Sequence, residues 1–93
     1  MKVERKLTIK TPLGLHIRPA TAIVKLLQSV QSVVTFTYRR QTVNAKSIMS
    51  ILMLAVGRNA KIVVKVEGDD AEGVLDQIQK IIENTEESYV NAE

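Results

Sequence analysis

Along this chain the hydrophobic period switches repeatedly between two and about 3.6 residues, and that alternation limits the fold more than any other feature. Residues 3–10, VERKLTIK, place Val3, Arg5, Leu7 and Ile9 on one parity and predict a strand with a mostly apolar face. From residue 17 to about 30, Ala20, Ile23, Val24, Leu27 and Val30 recur at helical spacing. Residues 33–38, VVTFTY, are β-branched or aromatic and predict a second strand, and 41–44, QTVN, a short third. Their link is Arg39-Arg40. A two-residue hairpin turn favours Asn or Gly at positive φ, so two arginines predict a looser turn or local strain. Residues 48–55, IMSILMLA, are apolar nearly all round and read as a short helix that Gly57, Arg58 and Asn59 break, with Asn44 or Ser47 as its cap. Residues 61–67, KIVVKVE, predict a fourth strand. A Gly68-Asp69-Asp70 turn follows, with either aspartate as cap. Val74, Leu75, Ile78, Ile81 and Ile82 then place a helix over 71–85. The tail from Glu83, ENTEESYVNAE, is polar and predicted to fray.

The predicted order is βαββαβα. Four short strands without long crossovers make an antiparallel or mixed sheet, and the helices then cover one face of it. The expectation is one α+β domain over residues 1–93, a two-layer open-faced sandwich. A chain of 93 residues with 45% apolar side chains has enough to fill such a core. Zero cysteines remove disulfides and thiolate metal sites, and a single histidine argues against a metal centre. No apolar run reaches the roughly 18 residues of a membrane span. The start, MKVERKLTIK, lacks an apolar signal core. A cytoplasmic protein with no membrane insertion is expected. The net charge of +3 does not by itself call for nucleic acid. A base-stacking sheet needs exposed aromatics, and only Phe36 and Tyr38, on one strand, are candidates.

The chemistry concentrates in residues 11–21, TPLGLHIRPAT. The lone histidine, His16, follows a Pro/Gly-bearing turn and precedes the first helical period, so it falls at the helix N-cap. Pro19 sits in the first turn, where a missing N–H is best tolerated. The backbone N–H groups of a helix start lack intrahelical partners, and the macrodipole is positive there. An anion is favoured at that place, imidazolium is disfavoured, and a neutral imidazole keeps the lone pair that a nucleophile needs. Arg18, two residues on, has a fork of donors that matches phosphate. Nucleophile, anion pocket and guanidinium converge on a phosphoryl group carried by histidine.

GLHIRPAT at 14–21 resembles the phosphorylation-site signature of the HPr family, the histidine-containing phosphocarriers of the phosphoenolpyruvate:sugar phosphotransferase system. VNAKSIMSILML at 43–54 resembles that family's serine-site segment, and the spacing, element order and length agree over essentially the whole chain. The resemblance implies a four-stranded antiparallel sheet with three helices on one side. It implies a carrier rather than an enzyme, needing no cofactor, that takes a phosphoryl group from enzyme I and gives it to IIA-type proteins. In its terms His16 is phosphorylated on Nδ1 and Arg18 contacts the phosphate. Ser47 matches a serine that a dedicated kinase/phosphorylase modifies in many members. Ile17, Leu13, Arg39-Arg40, Ser50 and Ala55 depart from the residues commoner in the family at those places. A related regulatory paralogue lacks the histidine; this chain keeps it, which argues against a purely regulatory role.

The partner surface is expected around His16. In the short helix, Ile51 and Leu54 share a face that points to the core. Ile48, Met49 and Leu52 then point outward and, with Ile17, form an apolar docking patch. Lys25, Lys46, Arg39, Arg40 and Arg58 supply a basic rim suited to acidic partners. An exposed relay site of this kind implies a monomer. Each feature has a plainer use: a histidine at a helix start is commonly a cap, a serine at Ser47 is commonly an N-cap, and an apolar run such as 48–54 is commonly core.

Overall fold

The computed structural model of the chain describes residues 1–86. Its elements are β1 (Lys2–Thr8), α1 (Ile17–Leu27), β2 (Val33–Tyr38), β3 (Gln41–Asn44), α2 (Ile48–Met53), β4 (Lys61–Glu67) and α3 (Ala71–Ile82). The strands form one antiparallel sheet in the order β1-β4-β2-β3. The three helices lie on one face of it.

The parity of the strands explains that layering. Leu7 of β1, Val34 and Phe36 of β2, and Ile62, Val64 and Val66 of β4 are buried together with Ala20, Ile23 and Leu27 of α1, Ile51 of α2, and Val74, Leu75, Ile78 and Ile82 of α3. The other parity, with Lys6, Lys65, Thr35 and Thr37, forms the open face. Arg5 shares the inward parity, and its head reaches the side of α3, where Nη1 donates to Asp76 Oδ1 at 2.9 Å and Gln79 Oε1 at 2.7 Å. A guanidinium on an apolar stem can close the edge of a core in this way without being buried.

β2, β3 and β4 have the bounds that the alternation predicts; the helices stop earlier. α1 ends at Leu27, since Gln28 N–H and Val30 N–H bond to carbonyls three residues back, those of Lys25 and Leu27. α2 ends at Met53, and the break comes at Ala55, whose φ is +53°, ahead of Gly57. α3 ends at Ile82, three residues before the predicted stop. β1 ends at Thr8, though Ile9 stays in the core and its N–H bonds to Ala60 O at 2.8 Å. Of the tail, residues 87–93 lie outside the described residues.

The β2–β3 link is tight rather than loose. Tyr38 pairs with Gln41, leaving two residues to turn the chain, and Arg39 and Arg40 take φ of +49° and +68°. The strain predicted from two arginines is present, at about 1–2 kcal/mol per residue.

Candidate phosphoryl-transfer site

The loop that carries His16 is closed on itself and then pinned to a distant loop. Gly14 N–H donates to Thr11 O at 3.0 Å, closing a turn with Pro12 at its second position, where a fixed φ suits it. Thr11 is fully buried, and its hydroxyl donates to Gly14 O at 2.5 Å. Gly14 has φ +77°, and a Cβ there would stand 2.6 Å from Val56 O and 2.9 Å from Gly57 Cα. Glycine is required at this place by backbone conformation and by close approach alike. The next residue, Leu15, is buried and donates its N–H to Val56 O at 2.9 Å.

His16 is the N-cap of α1, with extended backbone at φ −88° and ψ −167°. Its side chain is half-buried and makes no capping hydrogen bond. The first intrahelical bond runs from Ala20 N–H to His16 O at 3.0 Å. Pro19 has no N–H, so the backbone donors of the opening turn are those of Ile17 and Arg18. Arg18 is exposed beside them. His16 therefore stands at a helix start, with Arg18 exposed in the first turn of that helix.

α1 and α2 pack antiparallel. The Leu15–Val56 bond ties the start of α1 to the end of α2, while Lys46 Nζ donates to Val30 O at 2.6 Å and ties the start of α2 to the end of α1. Ser47 therefore sits at the other end of a helix about 16 Å long from His16. It is the N-cap of α2, and its Oγ accepts from Ser50 N–H at 3.2 Å. Asn44, the other candidate cap, instead accepts from Lys46 N–H through Oδ1 at 2.9 Å. Replacing Ser47 by Ala is expected to cost about 1 kcal/mol and to lower Tm by about 4–8 °C in a thermal melt.

The apolar patch differs from the expected one. Ile51 and Leu54 are buried as predicted and Met49 is 66% exposed, but Ile48 and Leu52 are half-buried and pack against the core. Met53, not predicted, is 74% exposed. It lies four residues after Met49 on the same face of α2 and at the end nearest the start of α1. Ile17, next to the histidine in the chain, is 60% exposed, and Leu13, three residues before it, is 74% exposed. A six-residue helix with Ser50 as its one polar side chain has too little polar surface to reveal its orientation, so packing on α1 and β3 decides it.

Phe36 is buried and Tyr38 packs towards the helices, so the open sheet face shows no aromatic ring among the described residues. No helix among the described residues is long and apolar enough to cross a membrane.

A family model described as the PTS HPr component phosphorylation site matches residues 3–84. A phosphocarrier protein HPr of Chlamydia muridarum is 44% identical over 73 residues, spanning 78% of this chain and 70% of that protein. Among solved structures, a phosphocarrier protein HPr from Bacillus anthracis superposes with a TM-score of 0.82 at 32% identity, covering 87% of this chain and 96% of its own. An HPr structure from Thermoanaerobacter tengcongensis gives 0.82 at 33% identity and 98% of both chains.

Proposed function

From the premise that the chain belongs to the HPr family of phosphocarriers of the phosphotransferase system, we propose that its phosphoryl group rides on Nδ1 of His16, arriving from enzyme I and leaving to IIA-type proteins. The observation that carries this reading is the placement of the chain's lone histidine at the cap of α1, on a loop pinned by Gly14 and Leu15. The imidazole lone pair attacks phosphorus in line. The P–Nδ1 bond forms as the bond from phosphorus to the donor group breaks, and the donor keeps that electron pair. Such transfer needs positioning and charge stabilisation more than acid–base help. The amides of Ile17 and Arg18 and the Arg18 guanidinium receive the phosphoryl oxygens, at about 1.5–3 kcal/mol per charged hydrogen bond. A small ligand set suits a relay, because a group held too tightly is not passed on.

Ile17, Met49 and Met53 supply apolar contact for partners of more than one shape, since methionine adapts its packing. Ile48 and Leu52 support that surface from beneath. Ser47, at the far end of α2, is the regulatory site in this reading, modified by a serine kinase/phosphorylase. Phosphate there adds about two negative charges to the partner footprint without touching His16. The carrier acts as a monomer in the cytoplasm, with no nucleic-acid partner.

The test is incubation of the native chain with labelled phosphoenolpyruvate and purified enzyme I. One equivalent of acid-labile, base-stable label on the peptide containing His16 is expected. An unlabelled, folded chain, or label on another residue, overturns the reading.

A further inference from the structure

The tip of the β2–β3 hairpin holds two charges that phosphoryl binding at His16 does not use. Arg39 and Arg40 occupy the whole two-residue turn, both at positive φ. Asparagine and glycine take that backbone with far less strain, so the turn itself gives no reason for arginine. Both side chains are exposed, yet Arg39 is oriented: its Cζ lies 5.1 Å from the centroid of the Tyr38 ring, within cation–π range. Tyr38 has the parity of buried Val34 and Phe36 and packs against the core. The stack therefore draws Arg39 to the helix-bearing side of the sheet.

The strand registers say which end of the molecule this is. β1 pairs Thr8 with Lys61, and β2 approaches the same end, with Thr37 opposite Val63. The chain leaves Thr8 there for the loop that carries His16. The hairpin tip and the histidine thus share one end of the sandwich, with Arg39 and Arg40 on the β3 side and Arg58 in the loop after α2. On the opposite side α3 closes at the same end, where Lys10 N–H bonds to Ile82 O at 2.9 Å and Glu83 and Glu86 follow. The β3 flank of the His16 end carries Arg39, Arg40 and Arg58, whereas the α3 flank mixes Lys10 with Glu83 and Glu86.

We propose that the Arg39–Arg40 tip is a docking clamp for the acidic protein surface that borders the phosphoryl site of an exchange partner, an inference that rests on the phosphocarrier reading. Guanidinium forks match carboxylates two bonds at a time. A tight turn and a stacked ring order the clamp before the partner arrives, which reduces what binding must immobilise. The uneven placement of the arginines also disfavours other rotations, because a partner turned about the His16 axis leaves Arg39 and Arg40 and meets Glu83 and Glu86 beside Lys10.

The experiment measures transfer from phosphorylated enzyme I to the native chain, to R39N/R40G and to R39K/R40K, at low and high salt. The Asn-Gly variant is expected to melt at a higher temperature, because strain is relieved. At low salt its KM is expected to rise about five- to twentyfold with kcat retained, and the salt dependence to flatten. The Lys-Lys variant, which keeps charge and loses the fork, is expected to fall between. A raised melting temperature with unchanged KM and salt dependence overturns the clamp while leaving the carrier reading intact. A native chain that takes no label removes both.

Discussion

A chain carrying His16→Ala is expected to fold with nearly native stability and to accept no phosphoryl group. The two halves of that statement rest on different parts of the structure. The loop is held by the Thr11–Gly14 turn and by the Leu15–Val56 bond, and neither passes through the imidazole. The His16 side chain makes no capping hydrogen bond, so its loss costs α1 less than about 1 kcal/mol. The chain has no second histidine to take over the chemistry. Label transfer is therefore expected to drop by more than about a thousandfold, as removal of a nucleophile does elsewhere. Circular dichroism and a thermal melt check the first half, and acid-labile label the second. A variant that is folded and still labelled at the native rate would assign the phosphoryl group to another residue.

Gly14→Ala is expected to do the converse, leaving every reactive group in place and failing through geometry. The added methyl meets two obstacles. At φ +77° any Cβ is strained by about 1–2 kcal/mol. The same Cβ lies 2.6 Å from Val56 O, and neither that carbonyl nor Gly57 Cα is the movable end of a side chain. Relief requires the 11–15 loop or the 54–57 loop to move, which adds about 1–3 kcal/mol. Tm is expected to fall by about 10 °C or more. Displacing the segment that leads into His16 by even about 1 Å is expected to lower kcat of transfer by about a hundredfold. Gly57→Ala is the matched control, because a Cβ there has nothing within 4 Å. Equal loss in both variants would mean that loop flexibility, rather than the close approach at Gly14, sets the rate.

The sequence shows the strands more sharply than the helices, and the reason is local. β2, β3 and β4 are bounded by residues that break an alternation, such as Arg39 and Gly68. The helix ends depend on where tertiary contacts draw the chain away. Val30 keeps helical spacing but lies beyond a closing turn, and Ala55 continues an apolar run while its backbone has already turned left-handed. The placement of His16 and Arg18 at a helix start is legible, because turn residues, Pro19 and the first apolar period agree on it. The docking patch is not. Met53 looks no different from Ile48 or Leu52 in a hexamer with one polar residue, and the packing of α2 on α1 and β3 sets it outward. The turn at Arg39-Arg40 is half legible: the strain follows from residue type, whereas its tightness follows from the β2–β3 register.

The bond from Leu15 to Val56 also governs when the site comes into being. It closes a loop of some forty residues, and β1 pairs with β4, more than fifty residues away in sequence. Contacts so far apart in sequence form late and slowly, since the entropy of closing the chain precedes any reward from the contact. A chain still emerging from the ribosome holds His16 near its beginning but has no Val56 to fasten the loop and no β4 to seat β1. The loop that presents His16 is therefore fastened only once the chain through β4 is in place.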